Sequence, residues 1–206
     1  MNALTLEHVR VELGGNVIVD DVTLAFERSR RHAVIGRSGA GKSVLMKAAA
    51  GLLPIANGTV TVAAKPLVFV HQDPALLDTL DVRENVAFAV ERRVARNEVG
   101  ARVDAVMRTL GIEDVAHRAP AALPIALQKR VALARALALE PGVLVVDEPT
   151  TGLDPIAARQ VDDALASLEG TTLIVITHSP RTLARLRPDV VVVEHGTAHR
   201  AAARAA

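Results

Sequence analysis

Along the chain, short apolar runs rich in β-branched residues alternate with longer stretches whose apolar residues recur every three or four positions. Leu4–Val11 and Val17–Phe26 read as strands joined across the turn signal Gly14-Gly15-Asn16. Ala33–Ile35 is a short apolar strand running into a glycine-rich loop, and Val44–Leu53 behind it has helical composition. Thr59–Val62 and Leu67–Val70 read as two more strands. From Val82 to Leu139 the period becomes helical, with Val103, Val106, Met107 and Leu110 on one face. Leu144–Val146 is a continuous apolar run, as expected of a strand buried on both faces. A helix over Ile156–Leu168, a strand over Leu173–Ile176, a short helix and a strand over Val190–Val193 complete the pattern. The Ala/Arg-rich tail after Gly196 reads as a frayed end.

Strands alternating with helices predict an α/β fold with a mainly parallel sheet and helices on its faces. The helical stretch interrupts that alternation and reads as an inserted α-helical subdomain. The organisation expected is one domain over 1–206, with a core of about 1–72 and 140–206 and a helical subdomain of about 73–139.

Composition narrows the chemistry. Half of the 206 residues are hydrophobic and only Phe26, Phe69 and Phe88 are aromatic, so Val, Leu, Ile and Ala must fill the core. With 24 basic against 23 acidic residues, the charge balance gives no electrostatic case for a nucleic-acid partner. There is no cysteine, which excludes disulfides and thiolate metal sites. Met1–His8 lacks the basic start and apolar stretch of a signal peptide. No run reaches the roughly 18 apolar residues of a membrane span. The expectation is a soluble chain, with any membrane role supplied by a partner.

Gly36-Arg37-Ser38-Gly39-Ala40-Gly41-Lys42-Ser43 fits the phosphate-loop pattern between a strand and a helix, the context that pattern requires. Glycines let successive N–H groups turn inward around phosphate oxygens, and the helix N-terminus adds positive potential. Lys42 is placed to reach the β- and γ-phosphates and Ser43 to ligate Mg²⁺. Chance gives such a pattern in roughly one chain per hundred, and the flanking elements lower that further. A second site supports it. Asp147 and Glu148 end the buried run Leu144–Val146, at the strand edge where parallel sheets gather ligands. Asp147 is then placed for the magnesium shell, and Glu148 to orient or deprotonate the attacking water.

These strings resemble the ATP-binding cassette (ABC) ATPases, and the resemblance covers nearly the whole chain. It implies a P-loop NTPase fold with a small N-terminal antiparallel β subdomain, and the cofactors ATP and Mg²⁺. Val68–Gln72 looks like the family's glutamine segment, which implies that Gln72 contacts Mg²⁺ or the attacking water. Thr151–Asp154 resembles the dimer-contacting loop, and Thr177-His178 the switch histidine that senses the γ-phosphate. Where the family stacks adenine on an aromatic, the matching residue is Leu13, an aliphatic contact with weaker stacking.

The signature departs further. The helix Gln128–Ala136 matches the family, yet the L-S-G-G-Q ahead of it is replaced by Leu123-Pro124-Ile125-Ala126-Leu127. Pro124 offers no hydroxyl and no N–H, and Ile125 and Ala126 place Cβ atoms where glycines allow close phosphate approach. Proline suits a helix start, so the helix itself is expected to survive.

In the family two domains sandwich ATP, each phosphate loop facing the partner's signature. The resemblance therefore implies a transmembrane permease subunit and a homodimer or a heterodimer with a second ABC ATPase whose signature is intact. It also implies a peripheral position on the cytoplasmic face of the inner membrane. The strings at 75–88, 129–141 and 147–156 look most like bacterial lipid-transport ATPases of the lipid-asymmetry and mammalian-cell-entry systems, and the short stretch between Lys42 and Gln72 is also similar to nitrate/sulfonate importers. Leu76, Leu77 and Leu80 are candidates for the groove that receives the permease. DNA-repair members carry a long coiled coil between glutamine and signature, where this chain has about 50 residues without sustained heptads. A nucleotide-dependent switch with little hydrolysis remains the alternative, favoured by the lost signature and opposed by Glu148.

Overall fold

The computed structural model describes residues 1–201. Strands β1 (Asn2–Leu13) and β2 (Asn16–Glu27) form the hairpin expected from the glycine turn, each longer than its apolar run. They build a three-stranded antiparallel sheet, ordered β2-β1-β4, with β4 (Asn57–Val62). A second sheet has the order β5-β6-β7-β3-β8-β9. Its strands β3 (Arg31–Ile35), β5 (Leu67–Val70), β6 (Val143–Asp147), β7 (Thr172–Ile176) and β8 (Asp189–Glu194) are parallel. Every residue of β6 and β7 is buried, as their unbroken apolar runs require.

Two local expectations need correction. Helix α1 (Lys42–Ala49) stops short of Leu53. Gly51, at φ 72°, donates to the Ala48 carbonyl and Leu52 to that of Lys47, the paired bonds of a left-handed helix stop. The segment after Gly196 is no frayed end where it is described: β9 (Thr197–Arg200) pairs antiparallel with β8, Val193 opposite Ala198. The Arg200 guanidinium also donates to the Ala25 carbonyl of β2, and the Asp20 N–H to the Gly196 carbonyl, so this edge ties the two sheets together. The remainder of the tail, 202–206, lies outside the described residues.

The stretch from Val82 folds as α2 (Val82–Val90), α3 (Arg96–Leu110), two 3-10 turns and α4 (Ile125–Leu137). Asp81 and Glu84 close a reciprocal capping box at the start of α2, with bonds of 2.7 and 2.8 Å. Val103, Met107 and Leu110 are buried and Val106 packs beside them, as their spacing requires; this core continues into Leu144 and Val146. Helices α5 (Pro155–Ala166) and α6 (Pro180–Leu186) follow β6 and β7.

Of the three phenylalanines only Phe26 is fully buried, edge-on to the equally buried His32 at 5.3 Å. The His32 Nε2–H donates to the Glu27 carbonyl, while Nδ1 has no hydrogen-bond partner among the described residues and lies 3.9 Å from Asp189. Burial pushes the His32 pKa below its usual value, against the opposing pull of the Glu27 carbonyl and Asp189. The unfolded chain therefore binds a proton at higher pH than the folded one. Stability is full above the ordinary histidine value of about 6.5 and falls as pH drops below it. Thermal melts between pH 8 and 5 should show this loss in the wild type and a flatter profile in His32→Gln; parallel profiles would remove His32 as the cause.

Candidate functional site

The parallel strands deliver their C-terminal ends to one edge, where β3, β6 and β7 run into Gly36, Glu148 and Thr177. At Gly36 the chain takes φ 148° and passes so close to β8 that an added Cβ would lie 2.1 Å from the Val193 carbonyl oxygen. A Cβ at Gly41 would lie 2.9 Å from the Ile18 carbonyl of β2. These two glycines are thus demanded by packing against neighbouring strands, whereas Gly39 faces open space. Arg37, Ser38 and Gly39 are exposed, and Ala40 packs on the core of the first sheet.

Gly41 is the N-cap of α1 and no side chain caps that end. Its first-turn N–H groups are therefore available to an anion. Lys42 Nζ donates to the carbonyls of Gly36 and Arg37, both at 2.9 Å, which leaves one of its three protons for a ligand.

Ser43 donates to Asp147 Oδ1 at 3.1 Å, joining α1 to the end of β6. Burial holds the Asp147 carboxyl above the usual carboxylate range, opposed by the Ser43 hydrogen bond and the charge of Lys47. A buried carboxylate with an adjacent hydroxyl is the oxygen pair that a hard divalent cation takes, and such a cation would offset the desolvation. The residues present fit Mg²⁺ at this point. Gln72, the third expected ligand, lies exposed beyond β5 and makes no side-chain hydrogen bond among the described residues.

Glu148 follows Asp147 with φ 46°, its N–H donating to the Ile176 carbonyl at 2.9 Å. Its side chain is 15% exposed and accepts twice, from His178 Nδ1 at 2.8 Å and from Thr151 Oγ1 at 3.1 Å. His178 is 71% exposed. The arrangement presents a carboxylate base whose two oxygens are each oriented by a donor. Thr151 in this role was missed by sequence reasoning, because hydroxyls beside an acidic pair give no periodic signal. Lys129 was missed as well: from α4 its Nζ donates to the Glu148 main-chain carbonyl at 3.2 Å.

Other expected residues divide. Asp154 caps α5, accepting from the N–H groups of Ile156 and Ala157 at 2.8 and 3.0 Å, and Ile156 beside it is 75% exposed. Leu13 is half-buried against the core of the first sheet, while Val17, across the turn, is the exposed apolar residue of that hairpin. In the altered signature Leu123 is buried and Leu127 packs on the helical core. Pro124 stands at the N-cap of α4, its carbonyl accepting from Leu127 and Gln128, so the helix survives; Pro124 and Ile125 face outward.

Comparison with known proteins is consistent with this geometry. The family model described as ABC transporter matches residues 19–151, and an AAA domain model matches 127–184. The chain is 37% identical over 207 residues to the Fe(3+) ions import ATP-binding protein FbpC of Streptomyces coelicolor, covering 94% of this chain and 60% of that protein. It is 34% identical over 188 residues to the thiamine import ATP-binding protein ThiQ of Salmonella choleraesuis, covering 84% of this chain and 80% of that protein. Among solved structures, cbiO1 from Clostridium perfringens, part of the ABC transporter complex cbiONQ, superposes with a TM-score of 0.85 at 29% identity. That match covers 96% of this chain and 87% of cbiO1. The chain spans only 60 to 62% of the length of several of the relatives it matches.

Proposed function

The chain belongs to the family of ABC transporter ATP-binding subunits, and on that premise we propose that it binds and hydrolyses ATP to drive a separate membrane permease. One observation carries the reading: the Ser43–Asp147 contact joins the phosphate loop to the acidic strand end, with Glu148 held next to it. Gly36–Ser43 bind the phosphates and Lys42 adds a point charge to them. Magnesium, when bound, neutralises phosphate charge, and Ser43, Asp147 and Gln72 are the residues to hold it. Glu148 takes a proton from the water that attacks the γ-phosphorus, while ADP leaves and inorganic phosphate forms. His178 keeps Glu148 oriented and turns its other nitrogen to the γ-phosphate. Leu13 is the proposed adenine contact and Asp154 the dimer contact.

The domain reading stays as one unit, with a helical insertion over about 73–139 in a core of about 1–72 and 140–206. Among the described residues no helix is long and apolar enough to cross a membrane. The proposed location is the cytoplasmic face of the inner membrane, held by the permease. As to branch, the relatives FbpC and ThiQ carry import names, which favours an importer; a lipid cargo rests on the strings at 75–88, 129–141 and 147–156.

Pairing follows from the signature. Pro124 and Ile125 present apolar surface where hydroxyl and glycine would read phosphate, so a second ATPase with an intact signature completes the site over this chain's phosphate loop. The purified chain alone should hydrolyse slowly. A Pro124→Ser, Ile125→Gly, Ala126→Gly variant should gain about tenfold or more, the scale of restored phosphate-facing donors. Vigorous, cooperative turnover by the wild-type chain alone would sink the need for a partner.

A further inference from the structure

Lys129 has a place in the structure that the motifs do not account for. It is half-buried on α4, in a small cavity it shares with Leu133, Val146 and Pro149. Its Nζ donates to the Glu148 carbonyl, which also accepts from the Thr151 N–H at 3.3 Å. Glu148 is a non-glycine residue in the left-handed region, a conformation that persists only where its surroundings hold it. The charge of Asp73, the residue after Gln72, also favours the Lys129 ammonium, after the stronger effect of Glu148. Further along the same helix, Arg135 donates to the carbonyls of Pro74 and Ala75 at 3.2 and 2.9 Å. Helix α4 thus grips the segment after Gln72 and the turn at Glu148 together.

We propose that Lys129 is a positioning residue for Glu148: its ammonium fixes the left-handed turn that aims the carboxylate at His178 and Thr151, and α4 couples that turn to the segment 73–75. The proposal rests on the reading of Glu148 as the base. Methionine, unbranched and one heavy atom shorter, occupies the same cavity but cannot donate, so packing and positioning are separable. Burial lowers the Lys129 pKa, with Glu148 and Asp73 opposing, yet an ammonium in contact with a carbonyl keeps its donor role.

Hydrogen exchange on the full chain tests this without turnover. In Lys129→Met the amides of Glu148 and Thr151 should exchange about tenfold faster, with Val145 and Val146 unchanged, and Lys129→Arg should stay within about twofold of wild type. Under saturating Mg-ATP, kcat of the Met variant should fall about tenfold at constant KM, because the phosphate loop is untouched. Unaltered exchange at both amides would overturn the proposal, and so would equal acceleration throughout the fold. If the Met variant fails to fold, Lys129→Leu, which also lacks a donor, repeats the measurement with the same expected and contrary results. Glu148→Gln run in parallel separates the two ideas: full turnover there removes Glu148 as base, while the exchange data still judge the clamp.

Discussion

Glu148→Gln is expected to lower ATP turnover by about two to four orders of magnitude while Mg-ATP binding stays unchanged, the scale for losing a general base. The replacement is nearly isosteric. Its amide oxygen still accepts from His178, and the Thr151 hydroxyl turns to accept from the amide nitrogen, so the geometry around 2.8 and 3.1 Å survives. Only basicity is lost. Binding depends on Gly36–Ser43 and the Lys42 ammonium, whose contacts lie within the loop. Phosphate release against titration of a fluorescent ATP analogue separates the two. Turnover near wild type in the Gln variant would reject Glu148 as the base, and weakened binding would mean that the carboxylate helps hold nucleotide.

Gly36→Ala should have the largest effect on stability. The new Cβ would sit 2.1 Å from the Val193 carbonyl oxygen, main chain against main chain on adjacent strands, with no rotamer to relieve it. The backbone at φ 148° adds strain of its own. A cost on the order of 4 kcal/mol or more follows, a large fraction of a domain's total stability. In a chain of this size that is a melting-temperature drop of about 10 °C or more. Gly39→Ala meets open space and carries only left-handed strain, about 1–2 kcal/mol. Thermal melts of the two variants should differ accordingly; equal shifts would mean that the close approach of β3 to β8 is relieved at little cost. The comparison also separates two reasons for glycine that look identical in the motif.

The sequence by itself determined the strand–loop–helix at Gly36–Ser43 and the buried strand ending in Asp147-Glu148. These are local patterns: apolar runs fix the strands, and glycine spacing with Lys42 and Ser43 fixes the loop chemistry. It also determined the helical period around Val103, Met107 and Leu110, because a face that must be buried imposes its own repeat. Where the apolar signal is weak, reading failed. Thr197–Arg200 is an edge strand recruited by β8 and held by Arg200 on β2, so no alternation marked it. Helix α1 ended at a glycine stop inside a run of helical composition.

Only the tertiary structure decided which groups meet. Ser43 and Asp147 stand 104 residues apart and touch because β3 and β6 flank β7 in one parallel sheet. His178 reaches Glu148 from the end of β7 for the same reason, and Lys129 from α4 closes the turn behind it. Each contact is set by strand order and helix packing, which depend on the whole chain at once. A local pattern can name the residue that carries a charge, but the partner that orients it is chosen by the fold.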